Sequence, residues 1–144
     1  MTAFAYPAQI EEQAPGEFLV TFRDIPEAIT GGPTLAESFA LAVDALGVAI
    51  EGYLIDGLGV PDPTPAEAGE FVVPLEPAIA ARAALETTML RAGVSGRALA
   101  DRMGKDEKHV RRILSGSAKM DQTLEALRVL GVRPSLSFEP PLAA

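Results

Sequence analysis

The spacing of apolar residues in the first part of the chain predicts a small antiparallel sheet. Apolar side chains recur at every second position in 4–10 and again in 18–22, which is typical of strands with one buried face. Residues 11–16 between them are turn-like, and further short strands are expected at 29–32 and 71–73. Pro7 in the first strand indicates the edge of the sheet, because proline has no N–H to donate to a neighbouring strand.

The apolar spacing lengthens to that of a helix after Thr34. Thr34 is a suitable N-cap residue, Glu37 three positions later completes a capping box, and Gly57 is the expected end. An apolar stripe along one side predicts that this helix packs on the sheet. Residues 1–76 are therefore expected to form an α+β N-terminal domain with a helix on an antiparallel sheet.

The opposite side of this helix carries a carboxylate every seven residues. Two apolar residues lie among them, and the candidate partner-binding face consists of Glu37, Leu41, Asp44, Val48 and Glu51. An exposed apolar pair ringed by acids suits a basic protein partner. Alternatively, Leu41 and Val48 are core residues at the edge between helix and sheet. The sequence leaves both interpretations open.

From Pro77 onward the pattern predicts an all-α C-terminal domain, residues 77–144. Four short helices are expected, each with a proline or a polar N-cap at its start and a glycine at its end. Their bounds fall at 77–93, 96–103, 106–116 and 121–131, with Ser95, Asp106 and Asp121 as the predicted N-caps. Residues 135–138 alternate again, which predicts a strand or an ordered tail.

The two predicted domains carry opposite charge. Residues 1–76 hold 13 carboxylates and one basic side chain, Arg23, whereas residues 77–144 hold 11 basic and seven acidic side chains. The formal net charge of −8 therefore hides a basic second half. An acidic half attracts basic proteins and repels phosphate, and a basic half does the reverse. The asymmetry favours a different partner for each domain, although two solvated faces of unequal composition would give the same totals.

The second and third predicted helices have the spacing of a helix-turn-helix. Ala100 lies four residues before Gly104, and Val110 and Ile113 follow at positions that anchor the next helix. The basic side chains of that helix point away from these anchors, as expected of a recognition helix in the major groove. The predicted DNA contacts are Arg97, Lys105, Lys108, His109, Arg111, Arg112 and Ser115, with His109 to the side of the basic face. An ordinary helical hairpin with a solvated basic face is the alternative.

The composition excludes several kinds of chemistry. The chain has no cysteine and one histidine, His109, which excludes disulfides, thiolate zinc sites and multi-histidine metal sites. Carboxylates such as Glu11, Asp24 and Asp44 would serve a metal-dependent nuclease, but they form no recognisable motif. We therefore expect no enzyme activity, no cofactor and no metal. No targeting segment is visible and no apolar span of about 18 residues is free of charge, which predicts a cytoplasmic protein that does not enter a membrane.

Residues 94–131 resemble the Xre/Cro-like helix-turn-helix family. The motifs that carry the resemblance are VSGRALADRMGKDEKHVRRILSG at 94–116 and LEALRVLGV at 124–132. Gly96 departs from the family, which commonly has a phosphate-contacting glutamine at that position, and Arg97 is the expected substitute. The resemblance implies a domain that binds double-stranded operator DNA as a dimer.

Residues 6–63 resemble the HicB antitoxin domain. Seven short motifs carry this resemblance in chain order: YPA (6–8), GEFLVTF (16–22), DIPE (24–27), AITG (28–31), TLAES (34–38), YLIDG (53–57) and PDP (61–63). The resemblance implies a partial ribonuclease-H-like fold without its catalytic carboxylates. It also implies binding and inhibition of HicA, a small basic ribonuclease with a double-stranded-RNA-binding-like fold.

The two resemblances and the charge split predict an antitoxin with two functions. Residues 1–76 are expected to neutralise a HicA-like mRNA-cleaving toxin. Residues 77–144 are expected to bind promoter DNA and repress the chain's own operon, as a homo-dimer or higher oligomer in which Leu136 and Phe138 form part of the contact. The alternative is a stand-alone Xre-type transcription regulator whose N-terminal domain senses a small ligand.

Overall fold

The computed structural model describes residues 3–142, which contain an antiparallel sheet and five helices. The elements are β1 (Ala5–Ala14), β2 (Glu17–Phe22), β3 (Ile29–Gly32), α1 (Leu35–Ile55), β4 (Phe71–Pro74), α2 (Pro77–Ala92), α3 (Gly96–Met103), α4 (Glu107–Leu114) and α5 (Met120–Val129). The predicted mixture of α and β structure is confirmed, and so is the order of the elements.

The described residues group into two compact units. The first, here called the sheet unit, contains the residues up to Gly52, the segment Pro61–Glu76 and the segment from Phe138. The second, here called the helical unit, contains Tyr53–Val60 and Pro77–Ser137. Because Tyr53–Val60 belongs with the helical unit, a chain cut at residue 76 would divide one of the units. The experiments proposed below therefore use the full chain.

The four strands lie in the order β3-β2-β1-β4, and all neighbours are antiparallel. The prediction that Pro7 marks an edge strand is wrong, because β1 lies between β2 and β4. The pairing nevertheless explains why proline is accommodated. Strand β4 pairs with residues 5–8 of β1, whereas β2 pairs with β1 only from Ala8 onward. Pro7 therefore has a neighbouring strand on one side only, as an edge residue does.

Helix α1 begins as its capping signal predicts and buries one stripe of side chains. The backbone N–H of Glu37 donates to Oγ1 of Thr34 at 3.1 Å, which satisfies one of the free donors of the first turn. The buried side chains of α1 in the sheet unit include those of Ser38, Ala42, Leu46 and Ile50. On the sheet, Tyr6, Ala8, Val20, Phe22 and Val73 are likewise buried. The amphipathic interpretation of α1 is thereby confirmed.

By length and composition alone, α1 is apolar enough to cross a membrane. This is weak evidence, since the core helix of a soluble protein passes the same test. The helix also carries Glu37, Asp44 and Glu51, whose charges would be costly in the hydrocarbon layer of a bilayer. Its stripe of fully buried residues is the feature expected of a core helix.

The helical unit has one apolar core, formed by residues from α2 to α5. Its fully buried members include Leu85, Leu99, Val110, Ile113 and Leu127.

Two predicted bounds need correction. Helix α5 begins at Met120 after Lys119, so Asp121 is inside the first turn and is not the N-cap. Helix α4 ends at Leu114, two residues before the predicted stop. Residues 135–138 form no strand.

Arg23, the basic residue of the acidic half, ties the proline-rich segment to the end of β2. Its guanidinium donates to both carboxylate oxygens of Glu70, at 3.1 and 2.9 Å, and also to Oγ1 of Thr64 and the carbonyl of Pro65. The neighbouring Asp24 accepts from the backbone N–H of Thr64 at 2.8 Å. These contacts hold the proline-rich segment, residues 61–70, against the end of β2 within the sheet unit.

The contact between Arg23 and Glu70 predicts a pH-dependent contribution to stability. Hydrogen bonding from Arg23, helped by the backbone N–H of Glu67, lowers the pKa of Glu70. A carboxyl whose pKa is lower in the folded state stabilises the protein above its ordinary pKa, and this contribution disappears as the pH falls through the folded pKa. In urea denaturation, Glu70→Gln should reduce the free energy of unfolding at pH 7, and the difference from wild type should shrink towards pH 3. In an Arg23→Met background the substitution should have little effect at either pH. An equal difference at both pH values would contradict the ion pair.

Candidate functional site

Helices α3 and α4 are joined by a three-residue turn whose geometry follows from three capping signals. Ser95 caps α3 by accepting from the backbone N–H of Ala98 at 3.1 Å. Gly104 ends α3 with φ of 67°, a left-handed conformation that glycine adopts without a steric penalty. Asp106 then caps α4 by accepting from the backbone N–H of His109 at 2.9 Å. The predicted bounds of α3 and both predicted N-caps are confirmed.

The inward faces of α3 and α4 are apolar and closely packed. Leu99 and Ala100 on α3 and Val110 and Ile113 on α4 are buried in the core of the helical unit. The small side chain of Ala100 lets the two helices approach each other beside the turn. Burial of Val110 and Ile113 fixes which side of α4 faces outward.

The outward side of α4 is cationic and open to solvent. Lys108, Arg111 and Arg112 are exposed on the helix, with Lys105 exposed in the preceding turn and Ser115 exposed at its end. Arg97 at the start of α3 is exposed as well, with 81% of its side chain accessible. Six of the seven predicted DNA-contacting residues are therefore exposed at or near this surface, which we call the basic face: Arg97, Lys105, Lys108, Arg111, Arg112 and Ser115.

His109 differs from the other predicted contacts. Its side chain is half-buried, and its Nε2 atom is enclosed without a hydrogen-bond partner among the described residues. A phosphate could not reach that nitrogen without a rearrangement of the side chain. We therefore assign His109 no part in the basic face.

Glu107 is an acidic neighbour of the basic face that sequence reasoning missed. Its carboxylate lies 3.8 Å from Nε of Arg97 and 3.7 Å from Nη1 of Arg111, and so links α3 to α4. Exposed ion pairs of this kind contribute little to stability, but this one restricts the positions of two exposed guanidinium groups. The spacing of Glu107 and Arg111 by four residues was a signal for one of the two contacts.

Arg82 is a second residue whose role could not be recognised in the sequence. It lies on α2 and is only 8% exposed, and its Nη2 donates to the backbone carbonyl of Leu114 at 3.1 Å. A basic residue in a helix gives no signal in the sequence that it will be buried against the end of another helix.

The predicted partner-binding face of α1 is exposed. Glu37 and Asp44 are open to solvent, Glu51 is half-buried, and Leu41 and Val48 are 39% and 74% exposed. The structure therefore does not support the alternative in which Val48 is a core residue at the helix–sheet edge. These five residues, here called the acidic face, follow one side of the helix at spacings of three and four. They present two apolar side chains among three carboxylates.

The three carboxylates considered for metal-dependent catalysis do not form a common site. Asp24 bonds Thr64, Glu11 lies in β1 opposite Leu19, and Asp44 belongs to the acidic face. Within residues 3–142 no group of three or more histidine, cysteine, aspartate or glutamate side chains could hold a metal ion.

Comparison with known proteins places the chain in a family. Residues 5–84 match the model of the HicB_like antitoxin of bacterial toxin-antitoxin systems. The chain is 41% identical over 128 residues to "Antitoxin HicB 2" of Photorhabdus laumondii subsp. laumondii, covering 88% of this chain and 90% of the relative. It is 32% identical over 133 residues to "Antitoxin HicB" of Escherichia coli (strain K12), covering 91% of this chain and 96% of that relative.

These relatives are named antitoxins, which is a non-enzymatic role. These names agree with two predictions from the sequence, namely that the chain resembles HicB and that it is not an enzyme. The family model covers the four strands, α1 and the first half of α2, and the relatives align with most of the chain. The chain belongs to the family of HicB-like antitoxins of bacterial toxin–antitoxin systems.

Proposed function

We propose that the chain neutralises a HicA-like, mRNA-cleaving toxin through the acidic face of α1 and represses its own operon through the basic face of α4. The observation that carries the proposal is that a HicB-like antitoxin has two surfaces of opposite charge, one on the sheet unit and one on the helical unit. One surface combines carboxylates with exposed apolar side chains, and the other is cationic and follows a helix-turn-helix geometry. Under this proposal the protein acts in the cytoplasm.

The acidic face suits a basic protein better than a nucleic acid. Its carboxylates attract a cationic partner and speed the encounter, because opposite charges steer association. Leu41 and Val48 supply apolar area that a partner can remove from water, which an exposed charged surface alone lacks. A toxin that cleaves RNA needs cationic side chains to bind phosphate. An antitoxin that covers these side chains prevents the RNA from binding to the toxin.

The basic face suits the major groove of double-stranded DNA. Helix α4 is short and exposes its cations on the side opposite Val110 and Ile113, so that it can enter the groove while its other side remains packed. Arginine and lysine side chains can bond O6 and N7 of guanine, and basic side chains that do not reach a base can bond phosphates. Because the whole chain is acidic, we expect affinity to depend on specific contacts rather than on overall charge.

The two units also fit a finer assignment of the fold. The strand order and the β-β-β-α-β sequence of elements are compatible with a partial ribonuclease-H-like domain. The capped α3–turn–α4 arrangement is compatible with an Xre-like domain. A stand-alone regulator with a ligand-sensing N-terminal domain is less well supported than an antitoxin, since the named relatives are antitoxins.

Two measurements on the full chain test the proposal. The first mixes it with the toxin encoded by the neighbouring gene and follows cleavage of an mRNA. We expect a stable complex and loss of cleavage at equimolar chain. The second is a footprint on the duplex upstream of the chain's own operon, where we expect protection of a discrete site. Undiminished cleavage would overturn the first function, and uniform, sequence-independent protection would overturn the second.

We expect two chains on each operator. One short recognition helix buries little DNA surface, so specific binding requires two copies on half-sites about 34–36 Å apart, or a multiple of that distance. Leu136 and Phe138 are 57% and 87% exposed and are proposed to contribute to the contact between copies. Sedimentation of the protein–DNA complex should give two chains per duplex, or a larger even number. Replacing Leu136 and Phe138 with serine should weaken the association, whereas saturation by one chain per site would contradict the prediction.

A further inference from the structure

The end of helix α4 is held by a buried arginine from another helix. The guanidinium of Arg82 on α2 donates from Nη2 to the carbonyl of Leu114, the last residue of α4. It also lies against Gly116. A Cβ atom at that position would be 2.7 Å from Nη1 of Arg82 and 2.9 Å from Cζ. An added side chain at Gly116 would therefore require the guanidinium of Arg82 to shift from its position.

The last four carbonyls of α4 all have partners, and the fourth partner is Arg82. The carbonyl of Arg111 accepts from the N–H of Ser115, that of Ile113 from Gly116, and that of Arg112 from Ser117 and Ala118. These are local bonds of a helix C-terminus. The carbonyl of Leu114 bonds outside its own segment, to Arg82 on α2. A cation at this end also interacts favourably with the helix dipole.

We propose that Arg82 is a positioning residue for operator recognition, which fixes the orientation of α4 relative to the rest of the helical unit. This inference rests on the proposed binding of operator DNA by the basic face. Asp106 and the core residues anchor the start and the inner side of α4, and Arg82 anchors its end. Because Arg112 lies in the last turn and Ser115 directly follows it, a small displacement of that end moves both residues relative to the bases. Contacts with phosphate tolerate such a displacement better than paired bonds to a base edge.

The inference predicts a loss of specificity rather than a general loss of binding. Affinity is measured for two duplexes of equal length at one salt concentration. One contains the footprinted site, and the other contains the same bases in scrambled order. In Arg82→Met, the ratio of the two affinities should fall about tenfold, and affinity for the scrambled duplex should change less than twofold. Arg82→Lys should be intermediate, because lysine keeps the charge and a donor but loses the planar group. Arg91→Met, an exposed site on the same helix, should keep the wild-type ratio.

A pair of glycine substitutions tests the same contact without removing a charge. Gly116→Ala places a methyl group against the guanidinium of Arg82 and should lower the ratio as Arg82→Met does. Gly131→Ala is the matched control, because Gly131 has a φ of 85° against 84° for Gly116 but nothing within 4 Å of the added Cβ. It should show the same backbone strain and the wild-type ratio. This pair still decides the question if Arg82→Met fails to fold.

The outcomes separate this inference from the proposed function. If the wild-type chain prefers no sequence at all, operator binding fails and the inference fails with it. If the wild type is selective and both Arg82→Met and Gly116→Ala keep its ratio, only the role of Arg82 is overturned. A folded variant that loses affinity for both duplexes equally would also overturn it, because Arg82 would then support the fold alone.

Discussion

Replacing Lys108 and Arg112 of α4 with alanine should lower the affinity of the chain for its own promoter by at least about thirtyfold. Each contact between a side chain and a base edge contributes about 1–3 kcal/mol, and two such losses give at least about 2 kcal/mol. Both residues are exposed on the side of α4 opposite the buried Val110 and Ile113, so neither substitution disturbs the core. The measurement is a titration of the promoter duplex at fixed salt, with circular dichroism to show that the variant is folded.

The matched control for this pair is Arg128→Ala with Arg133→Ala. These two residues are also exposed in the helical unit, and their loss changes the net charge by the same amount. The control should weaken binding much less, because its effect is limited to long-range electrostatics. If the two double variants lose affinity equally, charge rather than the basic face of α4 determines binding. Wild-type affinity in Lys108→Ala with Arg112→Ala would exclude α4 as the recognition helix.

The sequence predicted the elements well where the signal was local. Thr34, Ser95 and Asp106 each cap the helix that follows them, because an N-cap depends on a side chain and an N–H only two or three residues away. The incorrect N-cap at Asp121 shows the limit of such signals. Its carboxylate accepts from the adjacent N–H of Gln122 and favours the positive end of the helix dipole from inside the first turn.

Features that depend on distant segments were not predictable. The inner position of β1 follows from its pairing with β4, which begins at Phe71, more than 50 residues later in the chain. Likewise, the contact of Arg82 with Leu114 joins residues 32 positions apart. Helical periodicity tells which side of a helix is buried, and it identified the inward side of α4 correctly. It does not tell which polar side chain of a neighbouring helix will bond the end of that helix.

In the candidate sites too, the features set by local periodicity were predictable and those set by distant segments were not. Exposure of the basic face followed from the burial of Val110 and Ile113, which the 3.6-residue period predicts. The link from Glu107 to both Arg97 and Arg111 required the relative position of α3 and α4. On α1, the period placed Leu41 and Val48 among carboxylates but could not decide whether the sheet covers them. Their exposure of 39% and 74% depends on how the helix lies in its unit.

Replacing Asp44 and Val48 of the acidic face with lysine should weaken the complex with the toxin by about a hundredfold or more. Asp44 and Val48 are exposed one helical turn apart. The variant removes an attraction and an apolar contact and adds two positive charges opposite a cationic partner. Like charges across an interface cost several kcal/mol, and about 2.8 kcal/mol corresponds to a hundredfold. The slower association should be most evident at low salt.

The control for the acidic face is Gln13→Lys with Glu17→Lys, two exposed positions at the β1–β2 turn that give the same change in net charge. It should leave the complex with the toxin nearly intact. Both double variants should bind the promoter at least as well as the wild type, because each makes the chain less acidic without touching α4. Loss of toxin binding in both would mean that the whole acidic half attracts the toxin without a defined contact. Retention in both would move the contact to another surface of the chain, and a shared loss of promoter binding would indicate misfolding rather than a lost interface.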